Sequence, residues 1–337
     1  MRDTDFGDKD AEQCKKSLTE ETGGRMGQEL TRKYERLKEK MRRYTAEGAA
    51  VAFSGGVDSA LLLKLACMAA EADKKVYAVT VQTKLHPSGD LEDAKRSAAE
   101  AGAIHKILQI DELAESGIEN NPPDRCYLCK REIFRKIKKL AEELGAGCVL
   151  EGTNADDLHQ YRPGIRALRE LQIISPLCEC GMTKAEIREL AGYLGISAAN
   201  RPSSPCLATR LPYGTRISYE LLERIDEGER YLHELGFYNV RLRIHELPSP
   251  SDGGWKDGNG IGTGNIPGHT EGKETGKSKA GELLARIEVD REDIPKLLDR
   301  RKEVVEKIKK LGFERVTADL EGFRSGSMDR NLNFSKS

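Results

Sequence analysis

The string Ser54-Gly55-Gly56-Val57-Asp58-Ser59 concentrates more usable chemistry than any other part of the chain. Two adjacent glycines let a backbone approach a phosphate closely, because neither carries a Cβ. Amides at the start of a following helix then present positive potential to an anion. Ser54 and Ser59 add hydroxyl donors. Asp58 cannot bind phosphate directly, but it can hold Mg2+ or orient the loop. This is not a Walker A loop, since the lysine of that motif is missing. A Gly-Gly pair alone marks an ordinary turn, so the reading rests on the whole string standing between an apolar strand and a helix. A second polar string, Glu151-Gly152-Thr153-Asn154-Ala155-Asp156-Asp157, can contact a ribose, a substrate or a metal; it can equally cap a helix.

Thiols form the second group. Cys126 and Cys129 are spaced CxxC between Arg125 and Lys130, after Pro122-Pro123 and before a predicted helix. Cys206 stands in Pro205-Cys206-Leu207-Ala208-Thr209-Arg210. Thiolates beside cations or at helix starts have lowered pKa values and bind metals or attack electrophiles. A CxxC pair alone leaves redox, zinc and iron–sulfur use open. Four thiolates suit structural zinc, whereas three around an iron–sulfur cluster leave one iron open. Cys178 and Cys180 make a CxC pair, a spacing that can bind metal, but it stands at the end of a predicted strand, where cysteines often only pack. Cys14, Cys67 and Cys148 read as leader, helix-core and strand-core residues, free cysteine being a small buried hydrophobe.

Alternating strands and helices must position these groups. Strands are predicted over 49–53, 76–81, 104–110, 148–150 and 173–177, with helices over 60–70, 91–101 and 131–144 between them. Leu30, Tyr34, Leu37 and Met41 space an amphipathic helix ahead of the first strand. The pattern is that of an α/β fold, a doubly wound parallel sheet with ligands at the carboxyl ends of its strands. Residues 1–27 read as a flexible leader, 28–215 as the nucleotide domain and 216–330 as a small α+β domain. In the latter, helices over 219–235 and 294–311 alternate with strands over 239–245, 283–289 and 316–320. Ten glycines between Gly253 and Gly281, with Trp255 among them, mark 248–280 as a disordered insertion.

Composition sets the outer bounds. The 55 basic and 56 acidic side chains nearly cancel, which argues against a broad nucleic-acid surface. No apolar run reaches the ~20 residues that span a bilayer, and the N-terminus carries no apolar signal core. A cytoplasmic location is therefore expected, with cysteines serving as thiols, ligands or catalysts.

With these pieces placed, the loop string resembles the SGGxDS signature of PP-loop ATP pyrophosphatases, a resemblance that implies cleavage of ATP to AMP and pyrophosphate. The chain from about residue 28 to 330, apart from the glycine-rich insertion, resembles LarE-type ATP-dependent sulfur transferases, which help build the nickel-pincer nucleotide cofactor of lactate racemase. The likeness rests on the loop, on Arg125-Cys126-Tyr127-Leu128-Cys129-Lys130, on Gly152-Thr153-Asn154-Ala155-Asp156-Asp157 and on Tyr161-Arg162-Pro163-Gly164. Two strings narrow it: Pro205-Cys206-Leu207-Ala208-Thr209-Arg210-Leu211-Pro212-Tyr213-Gly214, and Gly322-Phe323-Arg324-Ser325-Gly326-Ser327-Met328.

The resemblance implies adenylation of a carboxylate on a pyridinium mononucleotide, followed by attack of sulfur and loss of AMP. In one branch of the family the cysteine matching Cys206 gives up its own sulfur. In the other, three cysteines hold a [4Fe-4S] cluster whose open iron carries an extra sulfide. The presence of Cys126, Cys129 and Cys206 together points to the cluster branch. Roles follow for ATP and Mg2+: Ser54, Gly55, Gly56, Asp58 and Ser59 on the phosphates, with Phe53 and Thr80 beside the adenine and ribose. Lys130 and Arg210 are expected to steady developing phosphate charge. Arg241 and Arg243, two apart on a strand, face one side and can grip the substrate phosphate, unless that side is an ordinary solvated face. A homo-oligomer is implied by the resemblance alone. The competing readings are a tRNA thiolase, an amide-forming NAD or GMP synthetase, and a nucleotide-binding iron–sulfur scaffold without turnover.

Overall fold

The computed structural model describes residues 26–87, 90–159, 163–201, 205–247 and 282–324. Most of the expected leader and insertion, Cys14, Trp255, Tyr161-Arg162 and Ser325 to Met328 therefore lie outside the described residues. Contacts divide the chain into two compact units, the first ending at Cys206 and the second beginning at Leu207.

The first unit is built on four parallel strands, β1 (Ala49–Ala52), β2 (Val76–Gln82), β3 (Ile104–Gln109) and β4 (Cys148–Leu150), in the order β3-β2-β1-β4. Side chains alternate across a strand, and each face finds its own helices. Ala49, Val51, Val76, Ala78 and Leu150 pack with Leu61, Leu65, Met41 and Leu190 on one face. Ala50, Tyr77, Val79 and Val149 pack with Phe134, Ile137 and Leu168 on the other. Strands covered on both sides read as continuous apolar runs, which is why β1 is Ala-Ala-Val-Ala without a polar partner. The helix Gln28–Thr45 buries Leu30, Tyr34, Leu37 and Met41, the stripe its spacing implies.

The strand order also fixes where a ligand fits. From β1 the chain winds outward through β2 to β3, then returns to the other side of β1 with β4. The loops after β1 and β4 thus diverge at the carboxyl edge, the crevice in which open α/β sheets bind ligands.

Two local expectations change. The strand predicted over 173–177 shrinks to one parallel bridge between Leu150 and Ile174. Pro176, which has no N–H to continue a ladder, instead opens the short helix Pro176–Glu179, so Cys178 lies in that helix rather than at a strand end. The helix predicted over 131–144 begins six residues earlier, at Arg125, and runs to Glu143. Asp124 stands at its N-cap position directly after the two prolines. Cys126 and Cys129 therefore lie inside its first turns, three apart and on one face.

The second unit contains the helix Tyr219–Glu234 and a three-stranded sheet of β5 (Arg241–Glu246), β6 (Leu283–Glu288) and β7 (Arg315–Ala318). β5 and β6 are antiparallel, and β6 and β7 are parallel. The helix predicted over 294–311 is split into Ile294–Asp299 and Arg301–Lys310.

Candidate active site

The loop Ser54–Ser59 follows β1 and leads into the helix Val57–Ala69. Gly55 has φ +75°, a left-handed conformation that residues with a Cβ adopt only with strain. The Ser54 and Ser59 hydroxyls lie 3.2 Å apart, and Ser59 Oγ donates to the Gly56 carbonyl at 3.0 Å. Phe53 is buried, and its N–H donates to Val79 O at 2.9 Å. The Thr80 hydroxyl donates to Phe53 O at 2.8 Å, with His105 Nε2 2.9 Å away on its other side. Burial lowers the His105 pKa, with the Lys95 charge adding to it.

The string after β4 meets this loop. A Cβ on Gly152 would stand 3.1 Å from the Ser59 nitrogen and 3.2 Å from Asp58 Cβ, so the two segments touch only because Gly152 lacks one. Asn154 Nδ2 donates to Asp58 Oδ1 at 3.3 Å. Glu151 is buried and accepts from Thr153 N at 3.0 Å, from Thr153 Oγ1 at 2.8 Å and from Ser175 Oγ. The capping alternative holds alongside: Asn154 Oδ1 accepts from Asp156 N at 3.0 Å.

Two cations that sequence reasoning missed reach the loop. Lys184 Nζ forms an ion pair with Asp58 Oδ2. Arg201 donates through Nη1 to Gly55 O at 2.8 Å and pairs through Nη2 with Asp93 at 3.0 Å. The one sequence signal for Lys184 is the Thr183-Lys184-Ala185-Glu186 capping box, which marks a helix start. By contrast Lys130, a charge-balancing candidate, lays its stem against Gly164, where an added Cβ would come within 2.5 Å of Lys130 Cδ.

The thiols gather elsewhere in the same unit. Cys126 is exposed, and Cys129 and Cys206 are half-buried. Burial raises the Cys129 pKa strongly. The charges of Glu112, Cys206 and Cys126 raise it further, while Arg125 opposes them. Glu112 is 1% exposed, and its Oε1 is 4.0 Å from Cys129 Sγ. Its Oε2 has no hydrogen-bond partner among the described residues. Burial, with the Asp111 charge behind it, raises the Glu112 pKa from 4.5 to about 8. Among the described residues no three His, Cys, Asp or Glu side chains meet at the distances of a single metal ion.

In the second unit, Arg210 and Glu229 form a buried two-pronged ion pair with contacts of 2.8 and 2.7 Å. Arg241 and Arg243 are both buried, so β5 does not present them as a solvated face. Arg243 is held by Glu288 at 3.2 Å and by Thr209 O at 2.7 Å. Arg241 donates to Val240 O at 2.6 Å and stands 5.0 Å from the centre of the Phe323 ring. Burial and the neighbouring Arg210 lower its pKa to about 10, which still leaves it cationic at neutral pH. Three buried guanidiniums thus face two buried carboxylates, Glu229 and Glu288.

A glycine-bent loop between parallel strand and helix, at the point where strand order reverses, defines an enzyme of the PP-loop ATP pyrophosphatase type. A family model described as NAD synthase matches residues 29–130, which contain the loop. The chain is 35% identical to an uncharacterized protein of Synechocystis sp., over 84% of this chain and 92% of the relative. It is 33% identical to the pyridinium-3,5-bisthiocarboxylic acid mononucleotide synthase of Lactiplantibacillus plantarum, over 84% of this chain and 89% of the relative. A tRNA-specific 2-thiouridylase of Rickettsia peacockii is 29% identical, over only 56% of this chain and 61% of the relative. The chain belongs to the LarE-type family of ATP-dependent sulfurtransferases. No helix among the described residues is long and apolar enough to cross a membrane.

Proposed function

We propose that this protein adenylates the carboxylates of a pyridinium dicarboxylate mononucleotide with ATP and converts them to thiocarboxylates, a step toward the nickel-pincer cofactor of lactate racemase. The observation that carries the reading is the pairing, within one unit, of the Ser54–Ser59 loop with Cys129 and two further thiols, Cys126 and Cys206, whose charges act on it. The likeness to the Lactiplantibacillus synthase supports the substrate class. Loop amides and the Ser54 and Ser59 hydroxyls hold the phosphates of ATP, and Asp58 faces the magnesium ion that accompanies them. Phe53 and Thr80 border the adenine and ribose. Arg241 and Arg243 grip the substrate phosphate, supported by the excess of buried positive charge around them.

For the sulfur source, the donor set suits a [4Fe-4S] cluster held by Cys126, Cys129 and Cys206. Three soft thiols interact, one exposed and two half-buried, and a cluster of four irons spaces its thiolates wider than a single ion does. Such a cluster, when bound, supplies a sulfide for transfer.

The test is anaerobic purification with iron and sulfide analysis, followed by assay of pyrophosphate release. Iron and sulfide in the protein, with release that depends on the pyridinium substrate, support the reading. A colourless protein that loads no iron and turns Cys206 into dehydroalanine moves the sulfur source to Cys206 itself. Release stimulated only by tRNA would replace the substrate class.

A further inference from the structure

Burying a charge without a partner is costly, so buried carboxylates are paired with cations or coordinate metals. Glu112 is 1% exposed, and its Oε2 has no hydrogen-bond partner among the described residues. The charges that bear on it, Asp111 and Glu115, are both negative, and only its own backbone N–H favours the ionised form. Lys136 gives no relief, because it pairs with Glu115 Oε2. Glu115 Oε1 in turn accepts from Asp111 N at 3.1 Å. On this short helix the exposed acid is therefore paired, and the buried one is not.

The position of Glu112 is fixed. It is the first residue of the helix Glu112–Ser116, whose Asp111 cap accepts from Ala114 N at 3.2 Å. That helix packs on the helix Arg125–Glu143. Cys129 and Lys136 are seven residues apart there, about two turns, so they share a face. Glu112 and Glu115, three apart, share the facing side. Cys129 Sγ stands 4.0 Å from Glu112 Oε1, while Lys136 pairs with Glu115. The two contacts set the register of the helices and hold the Glu112 carboxyl at the thiols. Cys126 and Cys206 act on the same Cys129 sulfur, so the carboxyl stands beside a group of three thiols. Three thiolates leave one iron of a [4Fe-4S] cluster without a protein ligand.

We propose that Glu112 is a fourth, exchangeable ligand, whose Oε2 binds the iron that Cys126, Cys129 and Cys206 leave open. The inference rests on the reading of those three thiols as a cluster site. A carboxylate oxygen is a harder donor than a thiolate, and softer sulfur competes with it for iron in a sulfide cluster. Glu112 thus keeps the open iron occupied until hydrosulfide takes the position. In that exchange the carboxylate leaves with the electron pair of the iron–oxygen bond. Hydrosulfide brings the pair of the new iron–sulfur bond and keeps its proton. No electron passes between them, so no oxidant or reductant takes part.

The experiment is Mössbauer spectroscopy and hydrosulfide titration of the full-length protein, reconstituted anaerobically with iron and sulfide. Wild type is compared with Glu112→Gln, which keeps the shape of the side chain, and with Glu115→Gln. In wild type one iron stands apart from the other three through its oxygen ligand. In Glu112→Gln that iron alone changes its spectrum, and hydrosulfide binds about ten- to hundredfold tighter. Glu115→Gln leaves both readouts at the wild-type value. Identical spectra and hydrosulfide affinity in wild type and Glu112→Gln would show that the carboxyl only packs beside Cys129, which overturns the proposal. An equal gain in Glu115→Gln makes the effect one of net charge and overturns it as well. Wild-type protein that loads no iron removes the cluster reading itself, and the assignment with it.

Discussion

Replacing Gly152 by alanine tests whether the string after β4 and the loop proposed to bind ATP form one site. The added Cβ meets the Ser59 nitrogen at 3.1 Å, Asp58 Cβ at 3.2 Å and the Asp58 carbonyl carbon at 3.3 Å. These are backbone or near-backbone atoms in the first turn of the helix Val57–Ala69, so no side chain can swing aside. Either the loop or the 151–154 segment must retreat by a few tenths of an ångström. Overpacking of this kind costs about 1–3 kcal/mol. In a unit of this size each kilocalorie lowers Tm by about 2–4 °C. The displaced amides and hydroxyls also weaken ATP on the order of tenfold. Gly192 is the control. It lies in the helix Lys184–Tyr193 with nothing within 4 Å of its added Cβ, so alanine there stabilises by about 0.5–1 kcal/mol. Thermal denaturation and ATP titration of both variants give the answer. A Gly152→Ala protein with wild-type Tm and ATP affinity would refute the reasoning.

Three further outcomes follow from particular contacts. Glu112 has a folded pKa raised from 4.5 to about 8, so between those values the unfolded chain ionises it and the folded chain does not. In chelator-treated protein its contribution is full below pH 4.5 and is lost as pH rises to about 8; Glu112→Gln should therefore gain on wild type across that window in urea titrations, and parallel curves would contradict this. Glu229→Ala strips the buried Arg210 of its carboxylate and Leu242 N of an acceptor, costing about 3–5 kcal/mol in urea unfolding, and a loss under about 1 kcal/mol would show the pair to be dispensable. Thr183→Ala removes the cap of the helix that carries Lys184, lowering stability by about 1 kcal/mol, read as a downward shift in Tm.

The glycine-bent loop Ser54–Ser59 was legible because it is local: six consecutive residues carry the glycine turn, the hydroxyls and the helix start. The two-faced sheet was legible too, since strands buried on both sides leave unbroken apolar runs such as 49–53. Lys184 was not legible, because its partner Asp58 lies 126 positions away and nothing in a lone helix-start lysine announces that pairing. Arg201 meets Gly55 across 146 positions, with the same result. Glu112 reads as one more surface acid until burial is known. The helix start at Arg125 was hidden by the charged stretch Lys130-Arg131, although Pro122-Pro123-Asp124 is a helix-entry signal that could have found it. Arg241 and Arg243 were placed on one strand face from spacing alone. Only the fold shows that this face is buried with Glu229 and Glu288.

The central claim is that ATP activates a carboxylate for replacement of oxygen by sulfur. The direct measurement is mass spectrometry of the pyridinium dicarboxylate mononucleotide after anaerobic incubation with the protein and magnesium ATP. The account predicts product in which sulfur has replaced a carboxylate oxygen, formed together with AMP and pyrophosphate. Unchanged substrate, or ATP turned over to ADP and phosphate, would contradict it.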